Sequence, residues 1–198
     1  MTTEPSGTPR PSRRIDARSL RGIAHPLRMS LLEALSLDGP ATATVLAARL
    51  GENTGTVSWH LRQLAEHGFI EEETGRGTKR ERWWRRTEAK NDLRTADFRE
   101  DPESRGALSV YLNELVRQYF QRVATYVAED WDDTWRGAGM LSDWSGMRLT
   151  PDQLRALNAE LSEVIARHAP APDAEPGPDA LPVVVQLQSF PRAPRDAG

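Results

Sequence analysis

Between Asp16 and His67 the apolar positions recur at three- and four-residue steps, and after Gly68 they change to a tighter alternation. The first period is helical and the second extended. Leu20, Ile23 and Ala24 form the first stripe, which Pro26 interrupts. A proline lacks the N–H and disfavours the α conformation at the preceding His25. A second helix restarts there through Leu27, Leu31, Leu32 and Leu35, and Asp38-Gly39-Pro40 stops it. A short third helix is predicted over 42–50, with Val45, Leu46 and Leu50 apolar and Gly51 where a left-handed cap is wanted. Asn53 or Thr54 caps a fourth helix to about His67, whose buried stripe is Val57, Leu61 and Leu64, with Ala65 beside it. Two short helices about a tight glycine-containing turn are the helix-turn-helix pattern.

Past Gly68, residues 69–73 read as a strand, 74–78 as a turn and 79–86 as a basic returning strand. A basic hairpin after a helix-turn-helix is a wing. Asp101-Pro102 then starts a long helix in which Leu108, Leu112, Leu115, Tyr119, Val123 and Val127 recur, widened by Tyr111, Val116 and Phe120. The pattern holds as far as Gly137-Ala138-Gly139, which makes a helix of about 50 Å at 1.5 Å per residue. A wing domain of this size cannot cover such a face, and a second chain is the simplest partner. Thr150-Pro151-Asp152-Gln153 is a capping box that starts a helix over 150–168. Residues 169–180 read as a flexible loop. Residues 182–190, with Val183-Val184-Val185, read as a strand that pairs near 147–149. Pro5, Pro9 and Pro11 mark 1–14 as a disordered arm.

The predicted fold is mainly α with a small β wing. A winged helix-turn-helix domain over 15–90 is followed by a long dimerisation segment over 91–139 and a small α/β extension over 140–198.

Charge divides the chain in the same place. Residues 10–86 hold 14 Arg/Lys against 9 Asp/Glu, and residues 87–198 hold 12 against 19, within a total net charge of −3. A basic contacting module joined to an acidic non-contacting one has this asymmetry. With no cysteine in the chain, disulfides, thiolate metal sites and thiol switches are excluded. No apolar run reaches about 18 residues, and residues 1–12 lack the apolar stretch of a secretory signal. The expected location is cytoplasmic.

Ile23-Ala24-His25-Pro26-Leu27-Arg28, Leu46-Ala47-Ala48-Arg49-Leu50-Gly51 and the run from Thr56 to Ile70 (T-V-S-W-H-L-R-Q-L-A-E-H-G-F-I) together resemble the arsenic-repressor-type (ArsR) family of winged-helix regulators. The resemblance covers about residues 15–90. The remainder is similar to a subgroup common in actinobacteria that carries a long C-terminal extension. Membership would imply a homodimer, a palindromic operator and, in most cases, repression. Metal-sensing members use cysteines, or histidines and carboxylates on the dimer helix. This chain has no cysteine, and His25, His60, His67 and His168 all lie outside the long helix, so neither a metal nor another cofactor is expected.

Cations meeting phosphates supply most of the affinity in such a module, and base edges in the major groove supply sequence choice. With Val57, Leu61 and Leu64 inward, the opposite face of the fourth helix carries Thr54, Thr56, Trp59, Arg62 and Gln63, flanked by Ser58 and His60. Arg62 and Gln63 have the forks that read guanine and adenine. Free N–H groups of Thr54 and Gly55 suit a phosphate. Thr56 and Ser58 serve either base contact or capping and packing. Trp59 either packs on a thymine methyl or sugar or covers a neighbouring helix. His60 either meets a phosphate or makes a structural hydrogen bond. In the wing, Arg76, Lys79, Arg80 and Arg82 are the phosphate candidates, while Arg85 and Arg86 either meet phosphates or pair with Glu71 to Glu73 across the hairpin.

Trp131, Trp135 and Trp144, with Met140 and Met147, form either a dimer core, the commoner use of such residues, or the wall of a pocket for a small-molecule effector. The chain has no glycine-rich phosphate loop, no G-x-S-x-G elbow and no metal-spaced histidine pair. Asp130, Asp132 and Asp133 read as a solvated helix end, and no enzyme is expected. Of the non-catalytic readings, a regulator of double-stranded DNA accounts for the basic wing and polar helix face. A winged helix used only for protein contact is the alternative.

Overall fold

Asp16 and Pro26 divide the first helical stretch in two. In the computed structural model, which describes residues 12–76, 81–87, 90–98, 100–169, 175 and 177–193, Asp16 caps α1 (Ala17–Ile23) by accepting from the Ser19 N–H at 2.7 Å. That bond holds the Asp16 carboxyl below the usual carboxylate range. Pro26 opens α2 (Pro26–Leu37), and the His25 Nδ1 caps it by accepting from the Leu27 N–H at 3.2 Å. Thr42 caps α3 (Ala43–Leu50), and Gly51 closes that helix at φ 66°, a left-handed conformation that favours glycine. Asn53 caps α4 (Thr54–Glu66). Leu20, Leu31, Leu46, Val57, Leu61 and Leu64 have no exposed surface and join the four helices in one core.

Three strands form the wing. β2 (Ala41–Thr42) and β3 (Ile70–Glu72) flank the central β4 (Trp83–Arg86), both antiparallel to it, with Ala41 opposite Trp84 and Glu71 opposite Arg85. Period-two alternation buries Trp84 in the core and leaves Trp83 half-buried. The fold is a winged helix-turn-helix.

The chain differs from the sequence expectation in four places. Residues 12–14 are ordered: β1 (Ser12–Arg14) pairs in parallel with β5 (Lys90–Asp92). The Arg13 guanidinium lies 4.8 Å from the centre of the Phe69 ring and donates to Ser19 Oγ at 2.9 Å, and Ile15 enters the core. Residues 1–11 of the expected arm lie outside the described residues. Second, the long helix stops early. α5 (Pro102–Ala128) ends before Asp132, whose side chain accepts from the Trp135 N–H at 2.9 Å and starts a separate α6 (Asp133–Ala138). Aspartate oxygens compete with the helical ladder for backbone N–H groups.

Third, the apolar stripe of α5 is shared between two faces. Ala107, Leu108, Tyr111 and Leu115 pack on the core of their own chain, whereas Leu112, Val116, Phe120 and Val127 are exposed. The inner face also buries Glu114, which takes a bidentate contact from Arg117 at 2.5 and 2.9 Å. Arg122 fastens the same helix to α2 through Glu33 at 2.7 Å.

The fourth difference is the strand expected over 182–190, which is not formed. Residues 181–193 carry no regular element, and Val183, Val184 and Val185 are exposed. A strand needs a partner to take up its backbone groups, and residues 139–150 are likewise irregular.

The chain divides into two units, one spanning Pro9–Val127 and the other containing Ala128–Gly198. In the second unit α7 (Pro151–His168) begins with the complete Thr150–Gln153 capping box. Asn158 on α7 accepts from Ser189 Oγ at 2.5 Å. No residue of α6 or α7 is buried. Met140, Trp144 and Met147 are exposed.

Candidate nucleic-acid interface

The outward face of α4 follows from its inward one. Val57, Leu61 and Leu64 are completely buried, so at 100° per residue Gly55, Trp59 and Arg62 fall on the far side. Thr54, Thr56 and Arg62 are exposed, and Trp59 keeps 49% of its surface. Arg62 has no ion pair among the described residues. It is therefore a solvated cation with its fork free. Ser58 and Gln63 are half-buried at the edges of this face. Gln63 Nε2 donates to Glu66 Oε2 at 3.0 Å, which engages one end of its amide.

Two candidates are corrected. The Gly55 N–H is not free for a phosphate, because Asn53 Oδ1 accepts from it at 2.8 Å. His60 is only 6% exposed, and its ring lies in the seam between α4 and the start of α2, 4.5 Å from the His25 ring and 4.7 Å from the Trp59 ring. It is three residues from Val57 and four from Leu64, the spacing of the buried stripe, and that spacing was the signal for a core position. Its Nδ1 is buried with no hydrogen-bond partner among the described residues, so no structural hydrogen bond forms at that nitrogen among them.

In the wing, the Arg76 guanidinium lies 5.4 Å from the centre of the Trp83 ring. A cation over an aromatic face is held in place while its N–H groups stay available. Arg82 is exposed, with a loose 3.8 Å approach to Glu72. Arg85 pairs with Glu71 at 2.6 Å and approaches Glu73 at 3.3 Å, the cross-hairpin one of its two expected uses. Arg86 instead donates to Ser36 Oγ at 2.5 Å. Lys79 and Arg80 lie outside the described residues.

Burial pushes the pKa values of His25, His60 and His67 below that of a free imidazole, and the nearby Arg28 guanidinium adds to the effect on all three. Among the described residues no group of three or more histidines and carboxylates is placed to hold a metal ion. No described helix is long and apolar enough to cross a membrane.

Residues 23–73 match a family profile described as a helix-turn-helix domain. The chain carries a helix-turn-helix domain. The match takes in α2, α3, α4 and β3, the elements that present the outward face. None of the curated proteins matches the chain in sequence.

Solved structures similar to it include HlyU from Vibrio cholerae N16961, at 18% identity over 50% of this chain and 87% of that one, with a TM-score of 0.32. A possible transcriptional regulator for arsenical resistance is 24% identical over 57% of this chain and 98% of that one, at TM-score 0.31. A mutant MarR from E. coli complexed with operator DNA is 16% identical over 75% of this chain and 84% of that one, at TM-score 0.30.

Proposed function

We propose that this protein is a sequence-specific regulator of transcription that binds double-stranded DNA through the outward face of α4 and the wing. The observation that carries this reading is the exposed, unpaired Arg62 at the centre of a polar face on the second helix of a helix-turn-helix domain. In this reading Arg62 and Gln63 read base edges, and Thr54, Thr56, Ser58 and Trp59 line the groove beside them. Arg76, Lys79, Arg80 and Arg82 meet phosphates on the flanking strand. The ring of His60 takes no part in the contact. Two chains pair along the exposed stripe of Leu112, Val116, Phe120 and Val127, which presents two α4 helices to one duplex. The site is then a palindrome, and repression by occupancy is the simplest outcome. The DNA partner implies a cytoplasmic location.

Selection of bound fragments from a random-sequence duplex pool by the full-length protein tests this reading. The expected result is one palindromic sequence whose half-sites are about 10 base pairs apart, one turn of the duplex. A selected pool with no common sequence would remove sequence-specific regulation and favour protein contact by the same fold.

A further inference from the structure

His25 and His60 are 35 positions apart in the chain, yet their rings are 4.5 Å apart at the seam where α2 begins and α4 passes. Each does structural work there. His25 Nδ1 caps α2 by accepting from the Leu27 N–H, which requires that nitrogen to be unprotonated. His60 is buried, its Nδ1 has no partner among the described residues, and its ring packs in a T-shaped arrangement against the Trp59 ring.

Two charged groups act on the pair among the described residues. Arg28 comes from α2, with its Nε also buried and without a partner among the described residues, and Glu52 comes from the turn between α3 and α4. The pair lines an open groove of about 520 Å³, together with Leu27, Ser30, Glu52 and Thr56, so solvent protons have access to it.

We propose that the His25–His60 pair is a proton-sensitive latch on the recognition helix, which holds α4 against α2 at neutral pH and releases it in mild acid. Protonation would convert the His25 cap from acceptor to donor, opposite an N–H that is also a donor. It would also place a second cation beside Arg28, with Glu52 as the carboxylate that acts on His60 among the described residues. The depressed pKa values of both rings agree with this. The sign follows from linkage. A histidine that is harder to protonate when folded contributes full stability above its unfolded pKa of about 6.5, and that contribution falls as the pH drops through this value toward the folded pKa.

The proposal rests on the DNA-binding reading for its functional consequence, though not for the latch itself. Added positive charge strengthens attraction to phosphates in general, so acid-weakened binding has the opposite sign from a simple charge effect.

The test uses the full-length protein and the random-sequence duplex pool as probe, between pH 7.5 and 5.5. Wild type is expected to lose affinity about fivefold or more over that range, and its unfolding constant to rise by up to about tenfold per pH unit for each histidine at the steepest point. His60→Phe and His25→Asn, the second of which keeps a capping side chain, should each flatten both profiles. The ring resonances of His25 and His60 in wild type should titrate below a histidine in an unfolded peptide, a readout that needs no variant to fold. Affinity that is constant or rises in acid, or ring titrations at the unfolded value, would overturn the latch. Absence of DNA binding at pH 7.5 would instead overturn the regulator reading, and the stability and ring titrations would still decide the latch.

Discussion

Arg62 is exposed and unpaired on the outward face of α4, while Leu61 beside it is fully buried, so a single helical step separates recognition from stability. Arg62→Ala removes the fork and leaves the core intact. It should weaken binding to the selected sequence by about 1–3 kcal/mol and relax base choice at one position, as read by competition with single-base variants. Unchanged discrimination at every position would take Arg62 out of base readout. Gly22 provides a contrasting case. A Cβ there would fall 2.4 Å from the His67 ring, closer than any real contact. Gly22→Ala should therefore cost roughly 1–3 kcal/mol of stability by overpacking, seen as a lowered thermal midpoint. An unshifted midpoint would mean that the His67 ring moves aside freely. The exposed α4 residues and Arg62 were legible in the sequence because a buried stripe implies its opposite face. The pairing of His25 with His60 was not, since it depends on how α2 and α4 cross.

At the scale of elements, helix starts were the most legible feature. Asp16, Asn53, Asp101 and Thr150 all cap helices whose first turns were predicted, because a capping side chain acts within three residues of itself. Short strands were not legible. β1, β2 and β5 are two or three residues long and rest on backbone pairing with distant partners, which leaves no periodicity to read. The early end of α5 was missed because apolar spacing continues through Trp131 and Trp135 while the aspartates break the ladder. The divided stripe of α5 has a direct consequence for assembly. If two chains pair along α5 as proposed, Phe120→Glu, at a position 75% exposed in the chain, should leave folding unchanged and convert the dimer to a monomer in sedimentation. A variant that stays dimeric would move the pairing surface elsewhere.

For the whole molecule, the proposed reading puts the DNA contact in residues 10–86, where cations exceed carboxylates, and leaves the acidic remainder to other work. Two copies joined along α5 would bring two basic faces to one duplex, so binding should be specific and strongly dependent on salt. Neither property alone distinguishes a regulator from a generic polycation, because phosphate contacts depend on salt for any sequence. Both are read in one titration, in which the full-length protein binds the selected duplex and a scrambled duplex of equal length from low to physiological salt. Affinity for the selected duplex should fall by on the order of a thousandfold as salt rises from 50 to 200 mM, and it should exceed affinity for the scrambled duplex by about a thousandfold or more at physiological salt. Equal affinities for the two duplexes at every salt concentration would contradict sequence-specific recognition by α4.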